Sequence, residues 1–203
     1  MKKVISALAI TLMTSGLAIA QSKPITSLEI GSPIPNGDVQ MVAASGGKVS
    51  LDMVKTKKGL LVMFSCNTCP YVVKAQSRTI EMVQHAVASG IGMIIINSNE
   101  AQRGNEDSYK EMKKYALKQG YKVPYVMDDK SALADAFGAT RTPEVFLFDG
   151  TGTLVYKGAM EDNPSNPAES KSIFLKTAID NMVAGEPIDP NNTKSIGCAI
   201  KRL

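Results

Sequence analysis

A strand-length apolar run that ends directly at a pair of cysteines is the strongest constraint on the fold of this chain. Residues 59–65 form a continuous apolar run, the pattern of a β-strand covered on both faces. The segment 69–89 contains no glycine and predicts a helix ending at Gly90, with a buried stripe formed by Val73, Gln76, Ile80, Val83 and Val87. A second apolar run over 91–97 follows, and strand, helix and strand at this separation predict a right-handed parallel crossover.

The rest of the chain predicts further strands and helices around the same sheet. Short edge strands are expected near 39–42 and 48–51. The segments 144–149 and 153–157 predict a β-hairpin, because a glycine-rich link of turn length joins them. The remaining predicted elements are a helix over 106–119 that begins at Asn105 or Asp107, a strand over 123–127, a helix over 131–137 and a helix over 169–184. Together these elements predict a mixed-sheet α/β domain.

The first twenty residues have the pattern of a secretory signal peptide. Lys2 and Lys3 give a short basic start, and the almost wholly apolar or small stretch 4–20 closes on an A-x-A cleavage pattern. An uncleaved membrane anchor is the alternative, but about seventeen residues is marginal for a span. We therefore expect cleavage after Ala20 and a periplasmic or secreted mature chain, without stable membrane insertion, in an oxidising compartment.

Proline and glycine content divides the expected mature chain into three parts. The segment 21–47 is rich in both and predicts an extended lead-in, 48–186 is expected to form the α/β domain, and 187–203 is a C-terminal tail. Of the 203 residues, 44% are hydrophobic and 21% charged, which indicates a globular protein. The formal charge of +4 includes the two leader lysines and is too small to indicate binding to nucleic acid.

The motif Cys66-Asn67-Thr68-Cys69-Pro70 stands where the first long strand meets its helix. Two thiols three positions apart at a helix start can close a small disulfide ring, and the N–H groups and dipole of the helix favour a thiolate at Cys66. Cys69 is within reach to resolve a mixed disulfide, and Pro70 suits an early helix position, where an N–H has no intrahelical acceptor. We expect this chemistry to need no cofactor.

Two other uses of the cysteines stay open. A purely structural Cys66–Cys69 disulfide would leave a binding module, although so short a loop removes little entropy from the unfolded chain. A zinc site would draw on Cys66, Cys69, Cys198 and His85, without a second cysteine pair at zinc-knuckle spacing, whereas a copper carrier would use the three cysteines. His85 lies roughly opposite the predicted apolar stripe, which favours a solvated surface histidine.

A Thr-Pro pair at the entrance of the hairpin completes a recognisable order of motifs. By local propensity Pro143 would be an ordinary trans turn proline. The order strand, Cys-x-x-Cys, helix and strand, then Thr142-Pro143, strand, hairpin and helix resembles the thioredoxin superfamily over residues 30–185. The runs 66–71, 138–149 and 195–201 are similar to its exported TlpA-like and AhpC/TSA-type redoxin branch, in a subgroup with a C-terminal Gly-Cys-x-Ile-Lys.

This resemblance implies a thioredoxin-like three-layer α/β fold with a mixed central sheet and flanking helices. It implies a cis Thr142–Pro143 bond beside a redox-active Cys66–Cys69 disulfide, where the loop backbone pairs with an extended substrate chain. It also implies protein thiols or disulfides as substrates and a further, unidentified redox protein as electron donor. The direction of exchange depends on the relative stability of the dithiol and disulfide forms, which the Asn-Thr dipeptide does not calibrate.

The chain departs from the superfamily pattern in its proton acceptor. Met63 stands near the position where a buried Asp or Asn is frequent, so Glu144 is the candidate acceptor, with an exposed strand-entry carboxylate as the alternative. Neither cysteine of the pair has the Pro-x-x-x-Thr-x-x-Cys surroundings of a peroxiredoxin, so peroxidase activity is not expected. Cys198 is a candidate third redox thiol if the tail folds back, and otherwise a small buried residue that anchors the C-terminus.

The sequence therefore predicts an exported thiol–disulfide oxidoreductase. In it Cys66 attacks, Cys69 resolves, and Thr142 and Pro143 present the substrate chain. A metal carrier on the same fold and a binding module with a structural disulfide are the alternatives.

Overall fold

A seven-stranded mixed sheet organises the chain, which a computed structural model describes over residues 25–203. The predicted signal peptide lies outside the described residues. In chain order the strands are β1 (Met41–Ala43), β2 (Lys48–Val49), β3 (Leu60–Ser65), β4 (Gly92–Asn97), β5 (Tyr125–Met127), β6 (Arg141–Thr142), β7 (Glu144–Phe148), β8 (Leu154–Gly158) and β9 (Cys198–Ala199). The large sheet has the order β2-β1-β5-β4-β3-β7-β8, and β6 pairs separately with β9.

The predicted crossover connects the central strand β3 to β4 through two helices within residues 70–88. β3 pairs in parallel with β4 and antiparallel with β7, and all of its residues are buried. β7 and β8 form the predicted antiparallel hairpin. β1 pairs antiparallel with β5, so the sheet includes part of the segment 21–47 that was expected to be an extended lead-in. The predicted α/β class with a mixed central sheet is confirmed.

Helices flank this sheet on both sides. They are α1 (Leu51–Val54), α2 (Pro70–Lys74), α3 (Gln76–Ala88), α4 (Tyr109–Gln119), α5 (Ala132–Phe137) and α6 (Phe174–Ala184), with short 3₁₀ turns at Glu100–Gln102, Asp129–Ser131 and Pro167–Glu169. α6 begins five residues later than predicted, because a 3₁₀ turn and a short extended stretch precede it. Within residues 25–203, no helix combines the length and hydrophobicity needed to cross a bilayer.

The predicted helix over 69–89 is two helices, and its buried face differs from the prediction. α2 and α3 meet at Ala75, whose φ of −82° and ψ of 7° depart from helical geometry. Val73 and Val87 are 55% and 54% exposed, whereas Met82 and Ala86 are fully buried. The predicted stripe is therefore right at Val83 and wrong at Val73 and Val87. On α3 the face that meets the sheet is centred one position earlier than predicted, and Val73 belongs to the separate helix α2.

The start of α4 is also different from the prediction. Ser108 is the N-cap, and its side chain accepts a hydrogen bond from the N–H of Glu111 at 3.4 Å. The predicted caps, Asn105 and Asp107, do not have this role. The predicted end is confirmed, since Gly120 adopts the left-handed conformation that closes the helix.

Two apolar layers cover the opposite faces of the sheet, because successive side chains of each strand point to opposite sides. On β3, Leu61 and Met63 belong to one layer, while Leu60, Val62 and Phe64 belong to the other. The first layer includes residues of α3 and α6, namely Met82, Val83, Ala86, Leu175, Ala178 and Ile179. The second includes residues of α1 and α5, namely Leu51, Leu133, Ala134 and Phe137.

Phe137 is a suitable site for testing the packing of the second layer, because its side chain is fully buried and its ring contacts three other rings edge to face. The ring centroids lie 5.3 Å from Phe64, 5.2 Å from Phe146 and 5.8 Å from Phe148. We expect Phe137→Ala to lower the free energy of unfolding by about 3–5 kcal/mol, measured by urea denaturation. Leu117→Ala, at a side chain 81% exposed, should change it by no more than about 0.5 kcal/mol. Equal losses in the two variants would contradict this account of the core.

Candidate active site

Cys66 and Cys69 lie between the end of β3 and the start of α2. Cys66 directly follows the last residue of β3, and Cys69 is the N-cap of α2, with Pro70 at the first helical position. The two cysteines are 1% and 5% exposed, and all three cysteines of the chain are free thiols. The structure is thus the dithiol form of the pair, and the predicted Cys66–Cys69 disulfide stays a prediction for the oxidised form.

The Thr142–Pro143 bond is cis, as the resemblance implies, and Thr142 contacts both thiols. Cys66 Sγ lies 3.6 Å from Thr142 Oγ1. Cys69 Sγ lies 3.3 Å from the carbonyl oxygen of Thr142, to which its thiol donates while it is protonated. Both loop residues are buried. The structure therefore brings together four of the predicted site residues, Cys66, Cys69, Thr142 and Pro143.

A hydrogen bond between the two thiols governs their ionisation. It lowers the pKa of Cys69 to about 4; burial opposes this shift, while hydrogen bonds from Cys198 and from the backbone of Val72 support it. The same thiol–thiol bond, together with burial and the charge of Asp107, raises the pKa of Cys66. One sulfur carries the negative charge while the other keeps the shared proton. The negative charge thus rests on Cys69, whereas the sequence analysis expected the thiolate at Cys66.

The C-terminal tail brings Cys198 against the same pair. The strand β9 pairs antiparallel with β6, which places Cys198 opposite Thr142. Cys198 packs against Cys66 and Cys69, and the three line a small cavity of about 140 Å³. The tail folds back onto the pair, as the third-thiol alternative requires, and the redox role of Cys198 stays a prediction.

Glu144 supports the proline loop. Its carboxylate accepts hydrogen bonds from the N–H groups of Thr140 at 2.8 Å and Arg141 at 3.0 Å. The side chain is buried, so it is not the exposed strand-entry carboxylate of the alternative interpretation. In the described part of the chain no hydrogen bond joins Glu144 to a cysteine, so its predicted role as proton acceptor has no supporting contact.

Asp107 is a buried carboxylate behind the motif that the sequence did not single out for the site. It accepts hydrogen bonds from the backbone N–H of Asn67 at 2.9 Å and from the side chains of Asn97 at 2.7 Å and Asn99 at 2.8 Å. Its charge raises the pKa of Cys66, so it acts electrostatically on the pair. The available signal was indirect: polar residues at the end of β4 border a cleft in sheets of this kind.

His85 is engaged elsewhere in the fold. It lies on α3, and its Nε2 is 2.7 Å from Asp180 Oδ1 on α6, with the ring about a quarter exposed. Across residues 25–203, no group of three or more His, Cys, Asp or Glu side chains is arranged to hold a metal ion. The described residues therefore give no support to the metal-carrier alternative.

Comparison with known families agrees with this fold. The Redoxin family profile matches residues 29–173. The chain belongs to the Redoxin family. It is therefore a thioredoxin-like redox protein, and the resemblance to the redoxin branch of the thioredoxin superfamily is confirmed. No curated protein matches this Redoxin family member significantly.

Solved structures similar to this Redoxin family protein cover most of its length. A hypothetical protein from Sinorhizobium meliloti 1021 is 30% identical with a TM-score of 0.78, over 88% of this chain and 97% of that one. An uncharacterized conserved protein from Geobacillus kaustophilus is 31% identical with a TM-score of 0.78, over 86% and 93%. The thioredoxin domain of a thiol-disulfide oxidoreductase from Bacteroides vulgatus is 20% identical with a TM-score of 0.55, over 66% and 90%, and shows the shared fold.

The thiol–thiol hydrogen bond can be tested by titration. Cys66→Ala removes the group whose hydrogen bond contributes most to the low pKa of Cys69, so this pKa should rise from about 4 toward the ordinary thiol range. Ultraviolet thiolate absorbance against pH measures this pKa. Burial raises the pKa of Cys198, the other remaining thiol, so its titration falls at higher pH than that of Cys69. Cys66→Ser, which retains a hydroxyl donor, should show a smaller rise. An unchanged titration in Cys66→Ala would contradict this cause.

Proposed function

We propose that this Redoxin family protein is an exported thiol–disulfide oxidoreductase that exchanges disulfides with other proteins through Cys66 and Cys69. The main support for this proposal is the contact of Thr142 with both sulfurs. The backbone of β6 beside those sulfurs is extended and pairs with β9, and we infer that an extended substrate chain pairs with it in place of β9. A substrate held there has its own sulfur next to the pair.

The exchange proceeds in two balanced steps. In the reducing direction the Cys66 thiolate attacks a substrate disulfide, a bond forms between Cys66 and one substrate sulfur, and the other substrate sulfur leaves as a thiolate that takes a proton. Cys69 then attacks the Cys66 sulfur, the Cys66–Cys69 disulfide forms, and the second substrate thiol is released. The pair loses two electrons and the substrate gains them. The same steps in reverse oxidise a substrate dithiol.

Proton movement within the pair makes both steps feasible. The hydrogen bond between the thiols lets the shared proton pass from Cys66 to Cys69 before the first attack. Cys69 must lose that proton before it resolves the mixed disulfide. We propose Asp107 as the acceptor, because it binds the backbone N–H of Asn67 between the two cysteines and its charge acts on Cys66, whereas Glu144 binds the loop backbone.

The proposed substrates are protein thiols or disulfides, with an unidentified redox protein as the electron donor. The N-terminal sequence pattern supports export to the periplasm or the exterior, where disulfides persist. Such a compartment supplies the protein disulfides that the pair would exchange with.

Removal of the resolving thiol is the direct test of the proposed exchange. In Cys69→Ser a mixed disulfide between Cys66 and the substrate cannot be resolved, so it should accumulate and appear on non-reducing gels. The wild-type chain should reduce insulin disulfides, and Cys66→Ser should neither do so nor trap substrate through residue 66. The proposal fails if Cys69→Ser forms no adduct with any protein thiol partner and the wild type leaves insulin disulfides intact.

A pair of carboxylate variants separates the two candidate proton acceptors. Asp107→Asn retains a carbonyl oxygen for Asn67 and Asn97 but cannot take a proton, so resolution of the mixed disulfide should slow by about 10²-fold or more, while attack by Cys66 is not slowed. Glu144→Gln still accepts from the loop backbone and should leave resolution unchanged. Stopped-flow measurement of mixed-disulfide decay distinguishes them. If the mixed disulfide instead decays slowly in Glu144→Gln and at the wild-type rate in Asp107→Asn, Glu144 is the proton acceptor.

A further inference from the structure

The tail of the chain occupies the edge at which the proposed function places a substrate. β9 runs antiparallel to β6, with Cys198 opposite Thr142. The contact continues beyond the strand, since the N–H of Ile200 donates to the carbonyl of Thr140 at 3.0 Å and the Ile200 side chain is buried in the core. An external chain that paired with β6 would need the same backbone groups.

A close backbone approach at Gly197 sets the position of the tail. A β-carbon at residue 197 would lie 2.1 Å from the carbonyl oxygen of Thr142, closer than atoms can approach. The carbonyl of Gly197 also accepts a hydrogen bond from Arg141 Nη1 at 3.1 Å. Glycine is therefore required immediately before Cys198 if the strand is to lie this close to the loop.

A second set of hydrogen bonds holds the tail on the far side of Cys198. The N–H of Lys201 donates to Asn99 Oδ1 at 2.9 Å, and the carbonyl of Lys201 accepts from the N–H of Ala101 at 2.9 Å. Asn99 in turn donates to Asp107. The segment that carries Cys198 is thus fixed at both ends, and one end is connected to the polar cluster behind the redox pair.

Between these two attachments, Cys198 faces Cys69. Cys198 packs against the pair and lines one cavity with both sulfurs, and its side chain and backbone help to lower the pKa of Cys69. Tyr71, near the start of α2, packs against the same pair. Of the three cysteines, Cys198 is the one that is partly exposed.

We propose that Cys198 is a third redox residue and that the tail is an internal substrate of the Cys66–Cys69 pair, an inference that rests on the proposed function. After a substrate disulfide has oxidised the pair, the Cys198 thiolate attacks Cys69 Sγ. The Cys69–Cys198 bond forms, the Cys66–Cys69 bond breaks, and the released electron pair goes to the sulfur of Cys66, which takes the proton that Cys198 lost. The step moves a disulfide without net oxidation.

This exchange transfers the disulfide from a fully buried pair to a sulfur that solvent reaches. It also means that an external polypeptide reaches β6 only after the tail has left it. The tail therefore competes with protein substrates for the same edge, and Cys198 competes with a substrate sulfur for Cys69.

Cys66→Ser isolates the proposed bond, because Cys69 then has Cys198 as its one intramolecular partner. The variant is equilibrated in a glutathione redox buffer, quenched in acid and digested with trypsin, which yields peptides 59–74 and 195–201. These peptides should be found joined by a disulfide. Because tethered thiols have effective concentrations on the order of millimolar or more, this form should exceed the glutathione adduct below about 1 mM glutathione. In the double variant Cys66→Ser/Cys198→Ala the glutathione adduct should accumulate instead.

Gly197→Ala tests the position of the tail without altering a thiol. In the Cys66→Ser background the added methyl group should push the strand away from Thr142, lower the yield of joined peptides about tenfold, a shift of about 1.4 kcal/mol, and speed alkylation of Cys69. Gly104→Ala is the matched control, since a β-carbon there meets no atom within 4 Å. It should change neither quantity.

The outcomes separate this inference from the proposed function. If the wild-type chain exchanges insulin disulfides but Cys66→Ser gives no joined peptides, or Gly197→Ala leaves their yield unchanged, the internal-substrate role is overturned and the oxidoreductase stands. If the joined peptides form while the wild type neither reduces nor traps a protein disulfide, Cys198 does pair with Cys69 and the proposed function is what fails.

Discussion

The antiparallel pairing of β3 with β7 is the contact on which the site depends. β3 ends one residue before Cys66, and β7 begins one residue after Pro143, so their register places the thiol and the proline loop side by side. Cys66 and Thr142 thereby come into contact although 76 positions separate them. The cysteine pair contributes the sulfur chemistry, and the loop contributes a carbonyl, a hydroxyl and an extended edge. Neither segment forms the site without the other.

The features that the sequence predicts well are those with a local physical pattern. Apolar runs of strand length gave β3 and β4, and a glycine-rich link gave the β7–β8 hairpin. The position of the cysteines at the junction of strand and helix follows from the same pattern. The cis geometry at Pro143 is different, because local propensity favours trans and the expectation of cis came from a family resemblance.

The features that the sequence does not predict depend on contacts made across the fold. Asp107 has the sequence surroundings of a helix cap, but the neighbouring Ser108 takes that role and frees the carboxylate for three buried donors. Glu144 stands beside the proline in sequence, yet its carboxylate turns to the loop backbone. The break at Ala75 and the destination of Cys198 likewise depend on packing between distant segments, which a periodic pattern does not contain.

Burial of the pair beneath the tail also affects which oxidants the sulfurs can meet. A peroxide oxidises a thiolate only on contact, and continued oxidation leads through sulfenic acid to sulfinic and sulfonic acids, which exchange does not reverse. Cys66 and Cys69 present almost no surface to such molecules. Exchange between sulfurs, in contrast, can be relayed by a residue already inside the site. The tail thus shields the two sulfurs from the irreversible addition of oxygen while it keeps a third sulfur against them.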